Sequence, residues 1–261
     1  MEFNPKTYQR IDYRKWVLGD KARQGINIKK LGILTSNELK VWKEAEQYQD
    51  ARNDPGHGEI TAYFAIKLLD FLPGNREIAI PTAICHDIGW YGNDPEAWQR
   101  KVKEAQKTGN LKSLNDTDVR MEHQIKGAEL AKRVFERVGY PSKRFYNKSF
   151  DIIKDHDTRL EPTTESGKVV RDADYSWRVT LPCNQIYLFS KGITNPQEVL
   201  KIAEEVCLES KPPHNLKGPS KQIARIEIAN TLYHKFQEEA EQALKPKYSR
   251  ELEIIKNFYA K

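Results

Sequence analysis

Residues 81–91 read PTAICHDIGWY, and within them a histidine and an aspartate, His86 and Asp87, interrupt an otherwise apolar run. With Ile80, Ala83, Ile84 and Ile88 at helical spacing, the stretch predicts a buried helix over 78–90. A charge placed in such a helix costs several kcal/mol unless it is paired or bound to a metal. The doublet therefore needs partners from elsewhere in the chain.

Outward from it, periodic segments predict further helices over 36–52, 57–71, 120–138, 144–157, 167–190, 195–210, 219–244 and 249–260. Ser36 with Glu38 opens the first of these, and Asn195 before Pro196 reads as a cap with proline in the first turn. Pro73-Gly74, Gly139-Tyr140-Pro141 and Pro212-Pro213 stand where periodic segments stop. No Asn-Gly or Asp-Gly turn separates alternating apolar runs, so the fold class is all-α. Gly92 to Arg120 is polar and reads as the longest irregular stretch, either a binding loop or a surface insertion. The expected organisation is an N-terminal extension (1–35), a helical core (36–190) and C-terminal helices (191–261) packed on that core in one globular unit.

At 261 residues the chain has room for one large domain or two small ones. Its three cysteines, Cys85, Cys183 and Cys207, are odd in number and widely spaced, which excludes a disulfide framework and a CxxC site and points to a reducing, cytoplasmic setting. No apolar run approaches the roughly 18–20 residues of a membrane span. A net charge of +6 favours anionic partners. The charges are dispersed, with no basic block interleaved with aromatics, which weighs against a dedicated nucleic-acid module. Neither GxGxxG, GxxxxGK[ST], GxSxG nor HExxH occurs.

Four of the six histidines, His57, His86, His123 and His156, fall each inside a different predicted helix. His57 shares a face with Ile60, Phe64, Leu68 and Phe71; His123 with Gly127, Leu130 and Val134; His156 with Phe145, Ser149, Ile152 and Ile153. In KVVRDADYSW, Asp174 falls with Val170, Ala173 and Trp177, whereas Asp172 turns to a neighbouring face; Asp174 is the better ligand and Asp172 the better salt-bridge partner. One inward histidine is ordinarily a hydrogen-bonded core residue. Four of them with two inward aspartates, on five helices, imply a shared purpose. Imidazole and carboxylate without a cysteine pair at zinc-site spacing suit one or two ions of Mn, Fe, Ni, Co or Zn, with Mg also admissible, in an open catalytic centre.

The order His57, His86-Asp87, His123, His156, Asp174, in AICHDIGW, EHQIKGAELA, IIKDHD and KVVRDADYSW, resembles the HD superfamily of metal-dependent phosphohydrolases over residues 40–185. The resemblance implies a helical bundle in which His57, His86, Asp87 and Asp174 hold one metal. With His123 and His156 the set is similar to binuclear members in which the doublet aspartate, here Asp87, bridges two ions. Ile88-Gly89-Trp90 follows the doublet where many relatives carry a lysine or glutamate.

The implied activity is hydrolysis of an anionic, phosphorylated small molecule (a phosphomonoester, nucleotide or phosphodiester) by metal-activated water. Lys126 and Arg178 lead the cations placed to meet a phosphate, ahead of Lys154, Arg159 and Arg171. Asp157 either orients the His156 imidazole or ends its helix in a salt bridge. The same ligand set is also similar to that of mixed-valent di-iron oxygenases of the superfamily. A third reading is a metal-stabilised binding or regulatory protein, resting on the stripe Ile223, Ile226, Ala229 and Tyr233 of the C-terminal region.

Overall fold

In the computed structural model, which describes residues 3–14, 28–52, 54–91, 95–110, 118–211 and 215–261, the chain is all-α, with eleven helices and no strand among those residues. Pro212-Pro213 and residues 15–27 of the N-terminal stretch lie outside the described residues, as do 92–94 and 111–117.

The first helix, α1 (Ser36–Ala45), opens on Thr35 rather than Ser36. The Thr35 hydroxyl accepts from the Glu38 N–H while the Glu38 carboxylate accepts from the Thr35 N–H, and this reciprocal pair needs a spacing of three. Glu38, fully buried, also takes Nε and Nη2 of Arg76 at 2.7 and 2.8 Å. That ion pair joins α1 to the start of a later helix.

Next come α2 (His57–Leu68) and α3 (Arg76–Cys85), apolar on nearly every side and central for that reason. Expected as a helix through 90, α3 ends at Cys85: Pro81 withholds an N–H from its ladder, and the backbone leaves helical geometry at Asp87 (φ −106°, ψ 3°) before a single 3-10 turn, Ile88–Trp90. His86 and Asp87 thus stand at the end of the helix, not within it.

The stretch 92–120 contains a fourteen-residue helix, α4 (Pro95–Thr108), which corrects the irregular reading. Then α5 (Asp118–Val138) runs against α1, α6 (Tyr146–Ile153) and the Ile88–Trp90 turn. Because α6 stops at Ile153, His156 lies in the turn after it rather than inside the predicted helix 144–157. The predicted helix 167–190 is two: α7 (Glu165–Ser176), packed on α2 and α3, and α8 (Leu181–Tyr187), with a 3-10 turn and an extended Thr180 between them where Pro182 starts anew.

The last three helices, α9 (Pro196–Cys207), α10 (Gly218–Phe236) and α11 (Glu238–Tyr259), pack on one another. Asn195 caps α9 by accepting from the N–H groups of Gln197 and Glu198. The break between α10 and α11 falls at Gln237 (φ +42°), earlier than expected; the predicted gap after 244 survives as a kink at Tyr248, two residues beyond Pro246. Ile223, Ile226 and Ala229 of α10 are buried, so the stripe read as a partner surface is spent on the protein's own core. No helix among the described residues is long and apolar enough to cross a membrane.

A buried carboxylate fastens the N-terminal segment to these helices. Glu227 of α10 accepts from the hydroxyl of Tyr8 at 2.7 Å, from that of Tyr13 at 3.4 Å and from Asn230 Nδ2 at 3.0 Å, and Asn230 also donates to Ile11 O. Burial pushes the Glu227 carboxyl up, and the hydrogen bonds from Asn230 and Tyr8 offset only part of that. Glu227→Ala leaves a cavity and strands the Tyr8 hydroxyl; it is expected to lower stability by about 3 kcal/mol, read from the urea midpoint, with metal content unchanged.

Candidate metal centre

The chain enters α2 through Gly56, whose left-handed backbone (φ +84°) would strain any other residue. The Gln49 side chain lies so close to α2 that a Cβ on Gly58 would stand 2.4 Å from its Oε1, and Gln49 Nε2 donates to Ile84 O at 2.7 Å. The first turn of α2 is thereby held against the last turn of α3, and His57 faces His86. Their Nε2 atoms are 3.0 Å apart. His57 Nε2 also stands 3.2 Å from Asp87 Oδ2 and 3.2 Å from Asp174 Oδ1, and His86 Nε2 stands 3.8 and 3.7 Å from the same two oxygens.

Donors about 2.1 Å from one ion lie about 3.0 Å apart at right angles and about 3.4 Å apart in a tetrahedron. His57 Nε2, His86 Nε2 and Asp87 Oδ2 are spaced to share a single divalent ion, and Asp174 Oδ1 stands beside the two imidazoles.

Asp87 turns its other oxygen to a second group. Asp87 Oδ1 is 3.1 Å from His156 Nε2 and 3.5 Å from His123 Nε2, and Asp157 Oδ2 is 3.5 Å from the latter. His86 Nδ1 donates to Ala83 O and His156 Nδ1 to Ile153 O, each at 2.8 Å. Both rings thus spend Nδ1–H on a carbonyl three residues back at a helix end, which leaves Nε2 as the atom turned to the carboxylates. His123 is fully buried and neither of its ring nitrogens makes a hydrogen bond. A buried imidazole whose nitrogens make no hydrogen bond is costly, and a metal ion at the point where these donors converge would remove that cost.

Charge shapes the cluster. Burial opposes ionisation of Asp87, yet Arg52 and the imidazoles of His86, His123 and His156 hold its carboxyl well below the usual carboxylate range; His57, His86 and Arg178 do the same for Asp174. Burial likewise opposes a charged His57 and a charged His156, but Asp174 and Asp87 push the first up to about 10, and Asp87 and Asp157 push the second up to about 9. Burial dominates at His123 and lowers it. The carboxylates thus attract positive charge from protons or cations alike.

Three guanidinium groups border the cluster. Arg52 Nη2 reaches Asp54 Oδ2 at 2.6 Å and Asp87 Oδ2 at 3.3 Å, and its plane lies over the Trp90 ring. Arg120 Nη2 reaches Asp157 Oδ1 at 3.3 Å. Arg178 Nη1 lies 3.4 Å from Asp174 O and 3.9 Å from its Oδ2, with the guanidinium over Tyr175 and the side chain 27% exposed. Trp90 donates to Asp87 Oδ1 at 3.3 Å and stacks on His123 with ring centroids 4.1 Å apart.

The structure brings His57, His86, Asp87, His123, His156 and Asp174 together, with Arg178 beside them. Lys126 stands half-buried one turn along α5 from His123. Arg171 is held by Asp172 and Glu161, and Arg159 by Asp155, so neither faces the cluster as a free cation. Asp172 pairs with Arg171 and accepts from the Ser220 hydroxyl at 2.6 Å, the salt-bridge place expected of it. Burial alone pushes the Cys85 thiol up, which removes it as a nucleophile. Arg52, Asp54, Arg120, Gln124 and Trp90 were not anticipated from sequence as part of the site. Only Arg120 carried a signal there, one helical turn before His123; Arg52 and Asp54 sit in a loop whose path no periodicity reveals.

Residues 56–176 match the HD domain family. No curated protein and no solved structure matches the chain. The matched segment, read as an HD domain, contains all the imidazoles and carboxylates that converge on Asp87.

Proposed function

We propose that the protein is a metal-dependent phosphohydrolase acting on an anionic small molecule that carries a phosphate ester. The observation that carries this reading is the Asp87 carboxylate set between two histidine and aspartate groups, with His57, His86 and Asp174 on one side and His123 and His156 on the other. These residues would hold one or two divalent ions of Mn, Fe, Ni, Co, Zn or Mg, since they offer only imidazole nitrogen and carboxylate oxygen. When bound, such ions lower the pKa of a water toward neutrality and polarise a phosphoryl oxygen.

The chain's own residues supply the rest. Arg52 and Trp90 keep the Asp87 carboxylate from rotating, one contact on each oxygen. Trp90, stacked on His123, and Trp177, set edge to face with His57, keep bulk water from the imidazoles. Arg178 and Lys126 are read as the cations that meet the substrate's anionic group: Arg178 has a partly exposed guanidinium beside Asp174, while Lys126 is supported only by its place on α5.

Arg178→Met is expected to keep the metal and to lose about 10- to 100-fold in kcat/KM, mainly through KM, as removal of one charge-assisted contact implies. Wild-type KM in this variant would exclude Arg178 from substrate binding.

The test of the reading is metal content by plasma mass spectrometry on protein purified without chelator, followed by a phosphate-release screen over phosphomonoesters, nucleotides and phosphodiesters with the metal found. Release that disappears on chelation and returns with metal is the expected result. Two irons per chain with dioxygen uptake and no phosphate release would replace hydrolysis with the oxygenase reading, and protein that takes up no metal would exclude both.

A further inference from the structure

Asp157 is an acidic side chain at the cluster that the ordered set His57, His86-Asp87, His123, His156, Asp174 does not include. Its two oxygens point different ways. Oδ1 takes Arg120 Nη2 at 3.3 Å, whereas Oδ2 stands 3.5 Å from His123 Nε2 and 4.0 Å from His156 Nε2. The carboxylate is set in this attitude from α5: the Asp157 N–H donates to Gln124 Oε1 at 3.1 Å, and Gln124 Nε2 donates to Arg120 O at 3.0 Å. Gln124 and Arg120 thus hold the backbone and the outer oxygen of Asp157, and the inner oxygen is left facing the two imidazoles. His123, with neither ring nitrogen hydrogen-bonded and the whole residue buried, is aimed at the same point.

A carboxylate kept only as the counter-ion of Arg120 would have no reason to turn an oxygen inward, to a place shared with Asp87 Oδ1 and two Nε2 atoms within 4.8 Å of one another. We propose that Asp157 is a ligand of the second ion position, so that Asp87, His123, His156 and Asp157 form a set of two imidazoles and two carboxylates equal in donor type to His57, His86, Asp87 and Asp174. Both positions would then share Asp87 and, offering the same donor types, would suit the same element. Arg120 acts through Asp157 as a positioning residue.

This inference rests on the metal-centre reading above, and its experiment separates the two. Full-length protein stripped with chelator is titrated with Mn²⁺, with stoichiometry read by plasma mass spectrometry and calorimetry, and ion pairing read by electron paramagnetic resonance. Wild type is expected to hold two Mn²⁺ per chain with an exchange-coupled signal. Asp157→Asn keeps the size of the side chain and the N–H bond to Gln124; it is expected to hold one Mn²⁺ with an isolated six-line signal, its second position weakened by about 100-fold or more. Arg120→Met, which removes the salt bridge but leaves the carboxylate, is expected to retain two coupled ions.

Two ions at wild-type affinity in Asp157→Asn would overturn this inference alone, as would loss of the second ion in Arg120→Met to the same extent as in Asp157→Asn. Wild type that binds only one ion overturns it as well, and wild type that binds none overturns both this inference and the proposed function.

Discussion

Replacement of Asp87 by alanine is expected to empty the whole centre and to cut turnover by about 10³- to 10⁴-fold or more, the loss of about 4–6 kcal/mol of transition-state stabilisation. The magnitude follows from where the two oxygens sit. Oδ2 is 3.2 Å from His57 Nε2 and Oδ1 is 3.1 Å from His156 Nε2, so one side chain serves both groups, and no neighbouring carboxylate can reach both. Its removal also strips Arg52 of one of its two carboxylate partners and Trp90 of its acceptor, leaving a guanidinium beside imidazoles that an ion would have to approach. Asp87→Asn keeps the shape and the indole hydrogen bond but loses the charge, and it is expected to retain the fold while binding metal far more weakly. Mass spectrometry of the purified variants, with far-ultraviolet circular dichroism as the folding control, reads the outcome; an alanine variant with two ions would exclude Asp87 as the shared ligand.

Much of this arrangement was legible in the sequence, and the parts that were not share a cause. A 3.6-residue period reports which face of a helix is buried, and it placed His57, His123 and Asp174 inward correctly because each lies inside or at the start of a helix. It says little about where a helix ends. His86 and His156 were assigned to helices that stop at Cys85 and Ile153, and it is the stop that lets each ring donate Nδ1–H to a carbonyl three residues back and turn Nε2 into the cluster.

From sequence, Asp157 reads only through its neighbour on the chain, as an aid to His156 or a helix-end salt bridge, because the approach of α5 that brings Arg120 and His123 to it is a tertiary contact. Helix α4 escapes the periodic reading for another reason. Trp98, Val102 and Ala105 have helical spacing, but they stand among so many charged and polar residues that composition outweighed period. Arg52 could not be found at all, since a loop residue that reaches a site leaves no periodic trace.

Gly89→Ala is expected to cost about 3 kcal/mol of stability and, unlike Asp87→Ala, to remove one ion and spare the other. A methyl group at residue 89 would stand 1.8 Å from His123 O, 2.4 Å from Gly127 N and 2.8 Å from Gly127 Cα. All three are backbone atoms of α5, so no side-chain rotation relieves the overlap, and the Ile88–Trp90 turn and α5 must part by more than an ångström. Gly127 makes the approach possible from the other side, where a Cβ would already stand 3.4 Å from Gly89 N and from His86 O. Parting the two elements withdraws His123 from Asp87 and opens its stack with Trp90, whereas His57 and Asp174 come from α2 and α7, and His86 keeps its Nδ1–H bond to Ala83 O at the end of α3. The urea midpoint should fall, and the Mn²⁺ count should drop from two to one with the isolated six-line signal of a lone ion. A Gly89→Ala protein with wild-type stability and two coupled ions would mean that the turn and α5 are free to separate without disturbing the centre, and that His123 is not held in place by this contact.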